Sequence, residues 1–594
     1  MSTHKDFLSD STQVALLHTS RIRPVFCVIE HAYRNRQIAD DACAGIFTST
    51  GLTIDLGTEI DWESPRLPVD PEWAIEWYKF YYGLDLAHAF KSTREEIYLS
   101  TWRSLVRSWI KQRRVNSDSS DVVARRITNW IYAWNIFARE SYSDAFEDEL
   151  IASIRSQTKY LYLNLTAERN HRTLELYALL IVALAIPEID EELGLLDFAT
   201  HNLFENLLSD VLPDGVHREQ STHYHMTALR SFLGARENAR LFGFDFPNGY
   251  DERLLKACEF ALHVHRPDGL IPALSDSDTG SYFDLLQLAA DLFDREDFRY
   301  VATQGLQGTA PTTTCSSFSD GGYYIQRSGW SNSENFQAER YLVFDCGPLG
   351  DGGHGHYDLL NVEIYANGKP LIVDPGRFTY FAEGDAKLRR AFKGTAAHNT
   401  VCVDGLDQTA FYPGKPKQSA AKGKLLSRLT RACFDMLCGE VISNCYDALH
   451  TRRIFFVANE YWVIVDNLRS DQKRTFDLRF HLTPEAWNHT AMCVSETNVT
   501  VRTPDVALVF DSTFQPRIEP GWVSPKYGVK HLAPVVSVKS ENTATDFVSL
   551  IYPTKLHETA PSFRVISDAA NLRDSGVLEV VTSCGVEYIE WETG

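Results

Sequence analysis

The chain has 594 residues, 58 basic against 79 acidic side chains, and a formal net charge of −21. At about 150 residues per domain this length holds several domains, or two large ones. Hydrophobic residues at 44% and charged residues at 23% are globular values, which excludes global disorder. The acidic balance excludes nucleic acid as the main partner, because phosphate binding needs a basic face, but it leaves room for a local basic cleft. Aromatic residues at 12%, with 12 Trp, serve either core packing or ring platforms for sugars.

Met1–Ser20 has no basic segment leading into an apolar run, so no secretory leader is read there. The longest apolar stretch, Leu176–Ile186, falls short of the roughly 20 residues a bilayer helix needs, so no membrane span is expected. The 11 cysteines contain no CxxC pair and read as reduced thiols. The expectation is a cytoplasmic chain, or a periplasmic one whose leader has been removed.

In chain order, apolar residues recur at helical spacing over Pro71–Phe90, Thr93–Lys111, Val122–Phe137, Ala145–Leu165, Leu174–Ile186, Leu193–Val211, Tyr224–Phe242, Glu252–His265 and Tyr282–Phe293. Turn signals such as Pro213-Asp214-Gly215 and Pro267-Asp268-Gly269 separate several of them. Helices joined by short turns, with no fixed-period repeat, predict an α-solenoid or a curved α/α toroid, an incomplete barrel, over residues 1–310. The texture then changes. Alternating runs at Tyr323–Gln326, Tyr341–Asp345, Asn361–Tyr365, Leu371–Val373, Thr400–Val403, Ile454–Val457, Trp462–Val465 and Thr475–Leu482 predict strands, with a hairpin turn at Asn367-Gly368. Residues 311–594 are therefore expected to form an antiparallel β-sandwich, with a cleft expected where the two halves meet.

Polar residues that could carry chemistry gather in four stretches. They are Asn170-His171 before an apolar helix, Asp214–His225 (DGVHREQSTHYH), Gly347–Asp358 (GPLGDGGHGHYD) and Ala396–Thr400 (AAHNT). Asn170-His171 also reads as a helix cap, and Asp214–His225 as solvated loop polarity. The glycine-rich stretch lacks G-K-[ST] and a following helix, so it is no nucleotide loop. Its glycines instead let backbone approach a ligand and aim His354 and His356. His356, Asp374 and His398 could converge on a zinc ion or form an ordinary hydrogen-bonded cluster, and their spacing does not decide between the two.

Together, GHGHYD at Gly353–Asp358, GKPLIVDPG at Gly368–Gly376, TAAHNTVCVDG at Thr395–Gly405, Asn170-His171 and the Asp214-Gly215…Glu219…Tyr224-His225 element resemble the heparinase II/III-like polysaccharide lyases. That family includes heparan-sulfate and alginate or oligoalginate lyases. The resemblance implies β-elimination on an acidic polysaccharide or oligosaccharide: removal of the C5 proton of a uronate, departure of O4 and a 4,5-unsaturated product. Such an enzyme must neutralise the carboxylate, take the proton and protonate the leaving oxygen. The resemblance implies Asn170, His171 and His354 as neutralisers and Tyr224 as acid or base, a role that suits it if nearby cations lower its pKa, with two alternatives: Tyr224 as both base and acid, or His354 as the base. Arg218, Glu219, His225, Tyr380, Arg389 and Arg390 are the residues expected to bind substrate. It also implies zinc on His356, Asp374 and His398, structural or organising because the elimination needs no activated water. The oligomeric state is not legible. The competing readings are a glycoside hydrolase using Glu219 with Glu175 or Asp214, and a carbohydrate-binding protein without catalysis.

Overall fold

The structure, a computed structural model, describes residues 20–139, 144–381, 386–410, 420–554, 560–566 and 572–592. Met1–Ser20, where no leader is read, therefore lies outside the described residues except for Ser20. The chain forms two compact units: Met1–Asp210 with Thr227–Leu254, and Val211–Met226 with Leu255–Gly594.

The first unit is helical. Helices at Arg36–Cys43, Pro71–Tyr78, Tyr82–Thr93, Glu96–Gln112, Ser120–Ala138, Asp144–Leu163, Arg169–Ala185, Pro187–Leu193 and Leu195–Asp210 follow one another. Their apolar stripes bury tryptophan on tryptophan. Trp62 stacks on Trp77 at 4.3 Å, and Trp109 meets Trp130 edge-on at 5.5 Å. Rings offset or crossed in this way match the edge of one π-system to the face of another. The single helix expected over Pro71–Phe90 is two, because Phe80 has φ 61°. Its ring is fully buried against Trp62 and Trp130, and that packing outweighs the cost of the left-handed backbone. Likewise Leu193–Val211 is interrupted by Gly194 at φ 64°, which caps a short helix begun by Pro187. A small hairpin, Ile46–Ser49 with Leu52–Asp55, has no counterpart among the predicted elements.

The second unit carries the antiparallel sheets. Ser316–Phe318, Tyr323–Arg327, Tyr341–Asp345, Val362–Ala366 and Lys369–Ile372 form a five-stranded sheet in sequence order. The expected turn is there: Ala366 pairs with Lys369, and Asn367 and Gly368 have φ 54° and 87°. A ten-stranded sheet is built on two long strands, Tyr461–His481 and Val529–Pro553. Side chains of both sheets, among them Phe344, Ile364, Phe456 and Trp462, share one apolar core. This core fixes the strand ends from which the site loops depart. The last helix before the five-stranded sheet ends at Ala302, and that sheet starts at Ser316. Among the described residues no helix is long and apolar enough to cross a membrane.

Candidate active site

Within the second unit, three loops bring polar residues to one point. The first leads into the helix Thr222–Phe242, whose start is held by Ser277: its Oγ accepts from Thr222 Oγ1 at 2.9 Å and from the His223 N–H at 3.1 Å. Tyr224 therefore stands in the first helical turn with its hydroxyl free to face the other loops. The second is Gly347–Asp358. A side chain at Gly355 would meet Leu349 O at 1.8 Å, so only glycine permits the fold-back that presents His354 and His356. The third, after Ile372, carries Asp374, Arg377 and Tyr380.

The Tyr224 ring stacks on the His354 imidazole with centroids 3.9 Å apart and planes 27° from parallel. Its hydroxyl lies 2.9 Å from the Tyr380 hydroxyl, which accepts a 2.6 Å hydrogen bond from Arg377 Nη1. Arg377 in turn donates twice to Asp278, at 2.8 and 2.7 Å. Burial pushes the Tyr224 hydroxyl up to about 12, against the opposing pull of Arg377 and the Tyr380 hydrogen bond. This corrects the expectation of a lowered tyrosine: desolvation of the phenolate outweighs the neighbouring guanidinium, so the hydroxyl keeps its proton at neutral pH. Burial also raises Tyr380 well above the usual value.

Asp276, absent from the sequence-predicted set, is the hub of the arrangement. Fully buried, it accepts from His354 Nδ1 at 3.1 Å, from His356 Nε2 at 2.9 Å and from both Nη atoms of Arg389, the Nη2 bond being 2.7 Å. Its own N–H donates to His354 O at 3.1 Å. Burial opposes ionisation, yet Arg389 and the two imidazole hydrogen bonds hold the carboxyl well below its usual range. The neighbouring Ser275 has φ 61°, a strained backbone at the hub. The other imidazole nitrogen of His354 lies 3.3 Å from Glu219 Oε2.

Behind this corner, His356, Asp374 and His398 each offer a ligand atom, and all three atoms lie within 4.8 Å of one another. All three residues are buried. His398 Nδ1 is 2.8 Å from Asp374 Oδ2, and Asn361 and the Gly376 N–H also bond Asp374, at 2.6 and 3.0 Å. His356 Nδ1, His398 Nε2 and Asp358 Oδ2 are buried with no hydrogen-bond partner. Burial pushes Asp358 up to about 6. Burial works against a charged His398, but Asp374 and Asp358 outweigh it and raise the imidazole to about 9. Nitrogen and carboxylate donors with orphaned buried atoms are what a divalent cation would satisfy, so the residues fit a metal.

The remaining expected site residues fall differently. Arg218 pairs with Asp351 at 2.8 Å, joining the first two loops. His225 points away from Tyr224: its Nε2 bonds Ala257 O at 3.1 Å, its ring meets Phe260 edge-on, and burial lowers it to about 3. A neutral core histidine accounts for it. Arg390 is exposed, 3.8 Å from Asp407. In the first unit, Asn170 is buried at the start of the helix Arg169–Ala185, and the adjacent His171 lies 4.0 Å from Asp121. Of the carboxylates a hydrolase would need, Asp214 is locked in a turn by the Val216 and Gly321 N–H groups, and Glu175 by Ser120 and Thr166. The residues missed by sequence reasoning are Asp276, Asp278 and Arg377. The only signal was Ser275-Asp276-Ser277-Asp278, an acidic turn between two predicted helices, and Arg377 directly behind the Asp374-Pro375-Gly376 turn.

The family model "Heparinase II/III N-terminus" matches residues 16–300, and "Heparinase II/III-like, C-terminal" matches residues 310–565. The chain belongs to the heparinase II/III-like family. It is 24% identical over 565 residues to a heparin-sulfate lyase of Bacteroides stercoris, covering 86% of this chain and 79% of that protein. An exo-oligoalginate lyase of Saccharophagus degradans is 29% identical over 140 residues, 21% of this chain and 18% of that one. Among solved structures, a heparinase III aligns with TM-score 0.81 and 19% identity over 99% of this chain and 96% of that one. A heparan sulfate lyase from Pedobacter heparinus aligns with TM-score 0.68 and 20% identity over 97% and 91%. At these identities the structural likeness speaks for the fold.

Proposed function

We propose that the protein is a polysaccharide lyase that cleaves a uronic-acid-containing glycan by β-elimination. The observation that carries this reading is the stack of Tyr224 on His354, with the Tyr224 hydroxyl bonded to Tyr380 and Arg377 beside it. Elimination requires an acid, a base and a positive surround for the growing carboxylate charge, and these groups supply all three. Tyr224, protonated at neutral pH, gives its proton to the leaving O4. His354, oriented through Nδ1 by Asp276, takes the C5 proton. Arg377 and Arg389, each anchored by a buried or half-buried aspartate, hold positive charge at the rim without moving as charge develops. An active-site acid and base separate in one experiment. A substrate with an activated leaving group at C4 restores turnover to Tyr224→Phe but not to His354→Ala if the roles are as assigned. Rescue of both, or of neither, refutes the assignment.

The substrate class follows the named relatives: an acidic glycan of the heparan-sulfate or alginate type. Release of an ultraviolet-absorbing unsaturated uronide from a panel of such glycans distinguishes a lyase from a hydrolase or a mere binder. We assign zinc to His356, Asp374 and His398, supported by the donor set and the orphaned nitrogens. When bound, the ion would supply a fixed positive charge that ties the His356 loop to the sheet. Metal analysis of purified protein checks it. We read the helical part as an incomplete α/α toroid and the sheet part as a β-sandwich.

A further inference from the structure

Nine of the twelve tryptophans are buried, but Trp522 is 41% exposed. It lies on the hairpin Arg517–Lys526 with Val529–Pro553, directly opposite Leu532, which is also exposed. A lone exposed ring needs no special explanation, so a functional reading of Trp522 needs a second observation. Its neighbours supply one. Lys530 Nζ sits 4.8 Å from the Trp522 ring centroid and 4.5 Å from that of Phe378, so the ammonium is held between two aromatic faces. Among the described residues no salt bridge joins Lys530 to a carboxylate, in a chain with 79 acidic side chains. A cation held by rings rather than by a carboxylate keeps its charge for an incoming anion.

The ring pair is also built into the candidate active site. Phe378 lies between Arg377 and Tyr380 and has φ 53°, a strained conformation for a bulky residue. That strain is held by the Gly528 N–H on Phe378 O at 2.8 Å and by stacking of its ring on Phe392 at 5.4 Å. The same hairpin delivers Tyr527, whose hydroxyl accepts from the Tyr380 N–H at 3.2 Å and whose N–H donates to Asp278 at 3.0 Å. The platform is therefore tied by hydrogen bonds to the loop that carries Arg377 and Tyr380.

We propose that Trp522, Lys530 and Phe378 form an outer subsite that binds a second acidic sugar residue of the glycan whose reacting uronate lies against Tyr224 and His354. This rests on the lyase reading above. The indole takes the C–H face of the sugar ring, and Lys530 takes its carboxylate or sulfate. The subsite would make the enzyme prefer chains long enough to reach it.

Size-defined heparan sulfate and alginate oligosaccharides test this, in tetrasaccharide and octasaccharide lengths. Trp522→Ala is expected to raise KM for the octasaccharide about five- to tenfold, one strong ring contact. It should leave kcat and the rate on the shortest cleaved fragment unchanged. Trp522→Phe should retain most of the affinity, and Lys530→Gln should weaken the salt dependence of octasaccharide KM. An unchanged octasaccharide KM in Trp522→Ala, an equal loss on short and long substrates, or a fall in kcat with a lowered Tm would each overturn the proposal. Should the wild-type enzyme release no unsaturated uronide, the lyase reading fails. The platform is then judged by calorimetric binding of the octasaccharides: affinity lost in Trp522→Ala supports it. Equal binding by both forms, or no binding by the wild type, overturns it.

Discussion

Two corners of the second unit share Asp276 yet differ in how their polar atoms are satisfied. At Tyr224, Tyr380 and Arg377, hydroxyls and guanidinium meet one another, and Asp278 closes the set. At His356, Asp374 and His398, two imidazole nitrogens and a carboxylate oxygen of Asp358 remain buried without partners. An unpaired buried polar group costs roughly 1–3 kcal/mol, so a group added at the second corner would stabilise it, whereas the first corner's polar atoms meet one another. On the proposed reading the difference separates chemistry from support: the first corner exchanges protons and the second holds an ion.

Substitutions sharpen that contrast. The largest effect is expected from Tyr224→Phe, which should lower kcat by about a hundred- to ten-thousandfold with Tm unchanged, read by steady-state kinetics and thermal melting. Full activity in that variant would remove Tyr224 from the chemistry. Asp276→Asn touches both corners. By loosening the orientation of His354 it should cost about ten- to a hundredfold in kcat with a smaller change in KM, and it should also lower metal content. If Asp276→Asn changed metal content alone, the two corners would be independent. His398→Ala leaves the Tyr224 corner intact but breaks a buried pair, costing roughly 3–5 kcal/mol of stability. Its melting temperature and bound metal should fall together, and a variant that keeps both would show the cluster to be an ordinary hydrogen-bonded one.

The smallest effect concerns pH. Burial lowers His217 and His265 to about 4 and His225 and His263 to about 3, so all four are neutral in the folded protein. Unfolded, they regain protons below about 6.5. Between roughly pH 6.5 and 4 the unfolded chain therefore binds more protons, and stability falls as pH falls, by at most about 1.4 kcal/mol per pH unit per group. Denaturant melts across this range should show the slope, and His225→Phe should flatten it. A pH-independent midpoint would mean that these rings are solvated.

The helices, the strands around Asn367-Gly368 and the motifs holding Tyr224, His354, His356, Asp374 and His398 were readable because each depends on local pattern: period, turn chemistry or a short signature. His225 was misread because adjacency to Tyr224 in sequence places it about a quarter-turn away on the helix, against Phe260. Phe80 was misread because its left-handed backbone is bought by contacts with residues far along the chain.

The sequence alone determined the order of helices before strands, which follows from periodicity, while its resemblance to a family marked the residues proposed for an elimination and for a metal. Tertiary structure decided which groups touch. It put Asp276 beneath His354, His356 and Arg389, turned Arg377 onto Tyr380, and kept the Tyr224 proton in place. Desolvation and hydrogen-bond geometry depend on neighbours that are distant in the chain, and no local pattern encodes them.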